Sequence, residues 1–265
     1  CALVHIDLDM YSMGKDYPAA HCIYADPKWG ARDLHDTLDR VLTPNQRSEA
    51  QRRAGAVAQR TADARARAEA QLKAEWDKNP ISALRLMGEI RDLAPKNAVF
   101  VGAGGTSGRA PFGQLMNLTE PDSFYEGGAA LGFPLPGTLG AALALPDRPV
   151  IGLLREGDSM YSIQGLWTAA HYSIPCTWIV FNNASYRILK LGMVRYLGET
   201  PRKSEFLGMD FGEPALDISK QAAVWGIHNA KVTHPEELRP ALQAALAHPG
   251  PSLVDVSIET GYRNV

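Results

Sequence analysis

Between Val150 and Tyr186, acidic and amide side chains stand at the ends of two apolar runs, in the stretch VIGLLREGDSMYSIQGLWTAAHYSIPCTWIVFNNASY. Val150 to Leu154 and Thr177 to Phe181 suit buried strands, and Tyr161 to Tyr172 between them carries helical spacing. The three make one βαβ unit. Both strands of such a unit end on the same edge of the sheet, so Glu156 and Asn182-Asn183 are expected to face one crevice. A divalent cation there would find the oxygen donors that hard cations take, in the layout of a metal and diphosphate site. Asp158 offers a second carboxylate close by. The plainer alternative is that Asn182-Asn183 only caps a strand end and begins a turn.

The elements that would position this site read as an α/β fold, a parallel sheet with helices on both faces. Upstream, Ala98 to Gly108 (AVFVGAGGTSG) is a strand followed by a loop of small residues, whose N–H groups and hydroxyls suit phosphate oxygens. It is not a dinucleotide fingerprint. Gly102, Gly104 and Ser107 miss the third glycine of G-x-G-x-x-G, and Pro111 is expected to interrupt the following helix early. Tyr125 to Gly140 (YEGGAALGFPLPGTLG) is a glycine-rich turn leading into a helix, and by itself is equally an ordinary core helix.

Composition sets the outer bounds. A chain of 265 residues with 45% hydrophobic content can bury an α/β core. A net charge of −2 without a dense basic patch argues against nucleic acid as main partner. No apolar run reaches membrane-spanning length and the N-terminus carries no signal pattern, so a cytoplasmic location is expected. Cys1, Cys22 and Cys176 are too few and scattered for a disulfide framework or a zinc site. Three stretches follow one another. Residues 1–42 read as strand, turn, strand and helix; residues 43–79 as a solvated helical connector rich in Ala, Arg, Glu and Gln; residues 80–265 as the main α/β domain, with an amphipathic helix at Pro235 to Ala247 before a last strand at Ser252 to Ile258.

The segment around Glu156 resembles the cofactor motif of the thiamine-diphosphate enzymes, the benzoylformate decarboxylase and acetolactate synthase-like branch, which opens Gly-Asp-Gly and closes with paired asparagines. The phrase from Tyr161 to Ala170 (YSI-x-x-LWTAA) fixes the register and puts Arg155-Glu156-Gly157 where the family has Gly-Asp-Gly. The resemblance implies thiamine diphosphate and magnesium as cofactors, with Glu156, Asn183 and the main-chain carbonyl of Ser185 as metal ligands. It places Thr106, Ser107, Gly157, Asp158 and Tyr186 about the cofactor, Leu131 as the wedge that bends it, and the carbonyl of Ala129 as acceptor for its amino group. Arg155 either crowds the site or points at the diphosphate and replaces part of the metal's charge.

By the same resemblance, Ile188 and Gly192 line the substrate pocket, although both are equally placed to be helix packing residues; Arg187 and Glu126 are candidates for handling carboxylate and proton near its mouth. The reaction implied is loss of carbon dioxide from a 2-oxo acid, ending in an aldehyde or in capture by a second carbonyl. Residues 1–42 resemble the close of the family's middle domain. The pyrimidine-binding domain, which carries the activating glutamate, is expected on a second chain, giving a hetero-oligomer built from dimers. The alternative is a non-catalytic paralogue that keeps the fold for assembly. Cys1 reflects a separately encoded subunit, processing of a precursor, or a fragment of a longer chain; a self-cleaved N-terminal nucleophile is the sharper version.

Overall fold

The computed structural model describes residues 2–128, 130–198 and 206–260, which form two compact units, Cys1–Asp63 and Ala64–Val265. Cys1 and Ala129 lie outside the described residues. In the first unit β1 (Val4–Asp7) and β2 (His21–Tyr24) pair in parallel, and α1 (Pro27–Val41) follows. Asp26 caps α1 by accepting from the Lys28 N–H at 2.8 Å, with Pro27 opening the first turn. The helix approaches β1 so closely at Gly30 that a Cβ there would lie 2.8 Å from Ile6 Cγ2. The expected strand, turn, strand and helix are all present.

α2 (Pro44–Ala74) crosses from one unit into the other. Most of it is exposed, as its polar composition requires, but Ala68 and Leu72 are buried, and Leu72 packs where a Cβ on Gly88 would stand. One face of the end of the helix, at Ala68 and Leu72, therefore belongs to the core of the second unit, while the rest stays solvated as expected. Weak periodicity hid it: only two small turns of the helix carry the contact.

The second unit continues with α3 (Ala83–Leu93), β3 (Val99–Val101), α4 (Gly105–Leu115), β4 (Phe124–Tyr125), α5 (Pro134–Ala144), β5 (Val150–Arg155), α6 (Glu156–Ser159) and α7 (Gly165–Tyr172). Then come β6 (Thr177–Asn182), α8 (Arg187–Leu197), α9 (Ile218–Val224), β7 (His228–Val232), α10 (Pro235–Ala247) and β8 (Ser252–Ser257). The strands form one parallel sheet in the order β4-β3-β5-β6-β8-β7. Side chains alternate along them: Ile151, Leu153, Ile179 and Phe181 meet α3, α4 and α10 on one face, while Val150, Leu154, Trp178 and Val180 meet α5, α7 and α9 on the other. This is the doubly covered parallel sheet that the apolar runs imply.

Two local expectations change. The helix expected from Tyr161 begins only at Gly165, because the chain first makes the single turn α6 and then a turn pinned by Ser162 Oγ donating to the Gly132 carbonyl at 2.7 Å. Pro111 does not stop α4, which runs on to Leu115 because Phe112 beyond it packs edge-on against Phe100 and beside Phe124.

The sheet is locked near its carboxyl edge by Asp255 on β8, which is fully buried. It accepts from Asn182 Nδ2 at 3.0 Å and from the Ile218 N–H at 2.9 Å, and pairs with Lys231 Nζ at 2.9 Å. Removing the carboxylate would leave the Ile218 N–H and one of the two Asn182 amide hydrogens unpaired in the interior, and would take the partner from the partly exposed Lys231. Asp255→Ala is expected to cost about 3–5 kcal/mol, measured by urea unfolding; a loss below about 1 kcal/mol would show that these donors find other partners.

Candidate functional site

β3 and β5 are neighbours in the sheet, yet the chain leaves them in opposite directions: β3 runs into α4 and on to β4 at the edge, β5 into α6, α7 and then β6. Their diverging ends open a crevice at the carboxyl edge, the place where ligands bind in such sheets. A cavity of about 400 Å³ lies there, within the range of small-molecule sites. Thr106, Ser107, Leu131, Glu156, Gly157, Asp158, Asn183, Ser185, Tyr186, Arg187 and Ile188 all line it. Residues that stand far apart in sequence meet here.

The centre of the crevice is a shared donor. Both Glu156 Oε1 and Asn183 Oδ1 accept from the Ser185 N–H at 3.0 Å, so carboxylate and amide oxygens converge on one point. Asn183 Nδ2 donates to Ser107 Oγ at 2.9 Å, which ties β6 to the first turn of α4. Ala184 takes a positive φ of 52° to make the turn, and Asn182 Oδ1 closes it by accepting from the Ala184 N–H at 3.1 Å. Asn182 itself turns away from the crevice, since its amide is held by Asp255 and the Leu216 carbonyl. Of the asparagine pair expected to face the crevice, only Asn183 does so. The end of the strand makes that separation: Asn182 is the last residue of β6 and Asn183 the first of the turn, so their side chains leave the chain in different directions.

Glu156 is 2% exposed, and among the described residues no cation pairs with it. Burial pushes its carboxyl up to about 7, although main-chain N–H groups, that of Ser185 among them, pull the other way. A buried carboxylate without a cation, beside an amide oxygen, suits a divalent ion, and a magnesium-held group fits these residues. Gly157 leaves room for the aromatic wall. A Cβ there would lie 2.9 Å from Phe211 and 3.1 Å from Tyr186, whose rings meet edge to face at 4.5 Å. Tyr161, Leu189 and Phe211 complete the lining and were not foreseen. Phe211 arrives through a bridge between Ser185 and Asp210 that no local pattern announces.

Thr106 and Ser107 stand in the first turn of α4, not in a loop before it. Asp158 divides its carboxylate between the Gly132 N–H at 2.8 Å and Arg155 Nη2 at 2.9 Å, so it braces the turn that carries Leu131. Leu131 is 58% exposed at the pocket wall. Arg187 donates to the Thr106 carbonyl at 2.9 Å, and burial draws its guanidinium below the ordinary arginine value, opposed by Glu259. Two residues do not join the crevice. Glu126 pairs with Arg109 and lines an adjoining cavity, and Gly192 on α8 faces open space. The expected acceptor at Ala129 lies outside the described residues.

Residues 105–256 match the family described as thiamine pyrophosphate enzyme, C-terminal TPP binding domain, more than half of the chain. The chain belongs to that family. A benzoylformate decarboxylase of Pseudomonas aeruginosa is 36% identical over 172 residues, 64% of this chain and 31% of that protein. An acetolactate synthase large subunit of Parasynechococcus marenigrum is 30% identical over 172 residues, 65% of this chain and 27% of its own. Among solved structures, the thiamine diphosphate-dependent 4-hydroxybenzoylformate decarboxylase of Rhodococcus jostii aligns with a TM-score of 0.61 at 33% identity, covering 69% of this chain and 33% of that one. The chain thus spans about a third of the length of these relatives. The fold is that of the thiamine diphosphate-binding domain, and the family cofactor is thiamine diphosphate with magnesium. No helix among the described residues is long and apolar enough to cross a membrane.

The raised carboxyl of Glu156 has a stability consequence. The folded protein keeps a proton that the unfolded chain has released once the pH passes 4.5, so stability falls as pH rises through the window from 4.5 to about 7. In metal-free buffer the loss across that window is expected to be roughly 2–4 kcal/mol, and Glu156→Gln should abolish most of it. Urea titrations at stepped pH measure both proteins; equal slopes would assign the pH dependence to other groups.

Proposed function

We propose that the chain is the diphosphate-binding part of a thiamine-diphosphate-dependent 2-oxo acid decarboxylase or carboligase, completed by a pyrimidine-binding domain on a partner chain. The observation that carries this reading is the convergence of Glu156 and Asn183 on the Ser185 N–H within the crevice. In this reading Glu156, Asn183 and the Ser185 carbonyl hold magnesium, and Thr106, Ser107 and Gly157 border the diphosphate. When bound, thiamine diphosphate supplies a nucleophilic carbon that accepts a 2-oxo acid and takes up the electron pair released with carbon dioxide. The chain's own part is to bind and orient. Leu131 supports the cofactor from one side, Ile188 adds an apolar wall beside it, and the half-buried Arg187 favours a substrate carboxylate near α8.

The names of the relatives, a decarboxylase and an acetolactate synthase, support both outcomes of the chemistry, lyase and carboligase. A cytoplasmic hetero-oligomer built from dimers is the assembly this reading implies. One observation favours the other reading, a non-catalytic paralogue: the stem of Arg155 lies against Gly105, next to the expected diphosphate contacts.

Native mass spectrometry of the protein from its own source, combined with carbon dioxide release from pyruvate and benzoylformate, separates the two. The expected result is a retained mass of thiamine diphosphate together with a pyrimidine domain, and turnover of at least one 2-oxo acid. A partner that remains bound while added thiamine diphosphate and magnesium give neither uptake nor turnover would replace catalysis with the assembly role.

A further inference from the structure

The geometry points to Arg155 as a direct ligand of the cofactor's diphosphate, a cation fixed in the protein that lets the site hold the anion without a metal ion. The inference rests on the cofactor reading above. Arg155 ends β5 and replaces a glycine of the family motif, and its Cδ lies 1.8 Å from where a Cβ on Gly105 would stand. Gly105 opens α4 at a φ of +60°, so a side chain there is excluded on both counts and the arginine stem takes the space. The guanidinium is thereby set at a helix N-terminus. A cation is unfavourable there by itself, because the helix end already carries partial positive charge.

An anion between them reverses that penalty. The N-cap Gly104 offers no side-chain acceptor, and the N–H groups of Thr106 and Ser107 meet no protein acceptor among the described residues. Arg155 side-chain atoms are 32% exposed, enough for a ligand to reach them from the crevice they line. A guanidinium presents five N–H donors, and among the described residues Asp158 Oδ2 at 2.9 Å is the acceptor close to it. The remaining donors form a fork matched to phosphate oxygens. Asp158 is a competitor as well as a brace: its other oxygen holds the Gly132 N–H, so the guanidinium can leave one oxygen without unfastening that turn.

Two substitutions of opposite sign test this. Arg155→Met keeps an apolar stem over Gly105 and removes the charge. Asp158→Asn retains an acceptor for Gly132 and frees the guanidinium. Isothermal titration of the chain with inorganic pyrophosphate and with thiamine diphosphate, in chelator and in magnesium, gives the readout. In chelator, wild type should bind both, Arg155→Met about 10- to 100-fold more weakly, and Asp158→Asn more tightly than wild type. Tighter binding cannot come from misfolding. Strict metal dependence in wild type, or Asp158→Asn binding no better than wild type, overturns the role of Arg155. If magnesium then still supports thiamine diphosphate binding, the cofactor reading stands; if nothing binds under either condition, that reading falls as well.

Discussion

The site depends on one main-chain N–H. Because β5 and β6 are adjacent and parallel, Leu154 opposite Val180 and Arg155 opposite Phe181, the residues just beyond them leave the sheet side by side. Glu156 and Asn183 can therefore both reach the Ser185 N–H, although one enters from α6 and the other from the turn before α8. A slip of either strand by one residue would turn that strand's side chains to the other face and carry its end, with Glu156 or Asn183, out of reach of the shared N–H. The chemistry of the crevice is thus a consequence of strand pairing made several residues away.

That pairing is held from beneath by polar groups. Asp255 gathers Asn182, the start of α9 and Lys231 of β7, so three elements that follow one another loosely in sequence are tied to β8, the strand between β6 and the edge strand β7. Asn182 is consumed in this network and gives the turn its shape, which leaves Asn183 as the residue that meets Ser107 on α4. The two asparagines have adjacent positions and unrelated duties: one secures the sheet, the other faces the crevice. The buried Glu156 carries the cost of the arrangement, an acid raised to about 7 by desolvation while Asp255 adds like charge beneath it.

How far the sequence disclosed this follows from the range of each interaction. Apolar runs and their helical interval are local, so β5, β6 and α10 were readable within a residue or two, and the parallel topology followed from the βαβ alternation. Glu156 and Asn183 were readable from their places at two strand ends, Ser107 and Leu131 only through the resemblance to the family, and all four line one crevice. Phe211 was not, because it reaches the pocket through the bridge of Asp210 to Ser185 across a long connection. The burial of Ala68 and Leu72 escaped for a similar reason: two apolar positions in an otherwise polar 31-residue helix carry too little periodicity to distinguish a docked end from a free one. Gly192, carried over from the family resemblance, stands on α8 with open space around it and outside the lining of the crevice.

The changed motif is best understood through what its residues touch. Simple decay would leave Arg155 in the cavity with no arrangement around it. Instead its stem fills the space that the backbone of Gly105 leaves, its charge meets Asp158 one turn on, and that carboxylate in turn fixes the loop bearing Leu131. Glu156 still shares the Ser185 N–H with Asn183, while the arginine adds a permanent positive charge whose stem lies against Gly105 at the start of α4. An arginine at the strand end is therefore compatible with anion binding, and its ion pair with Asp158 sets how much of that charge the ligand can claim.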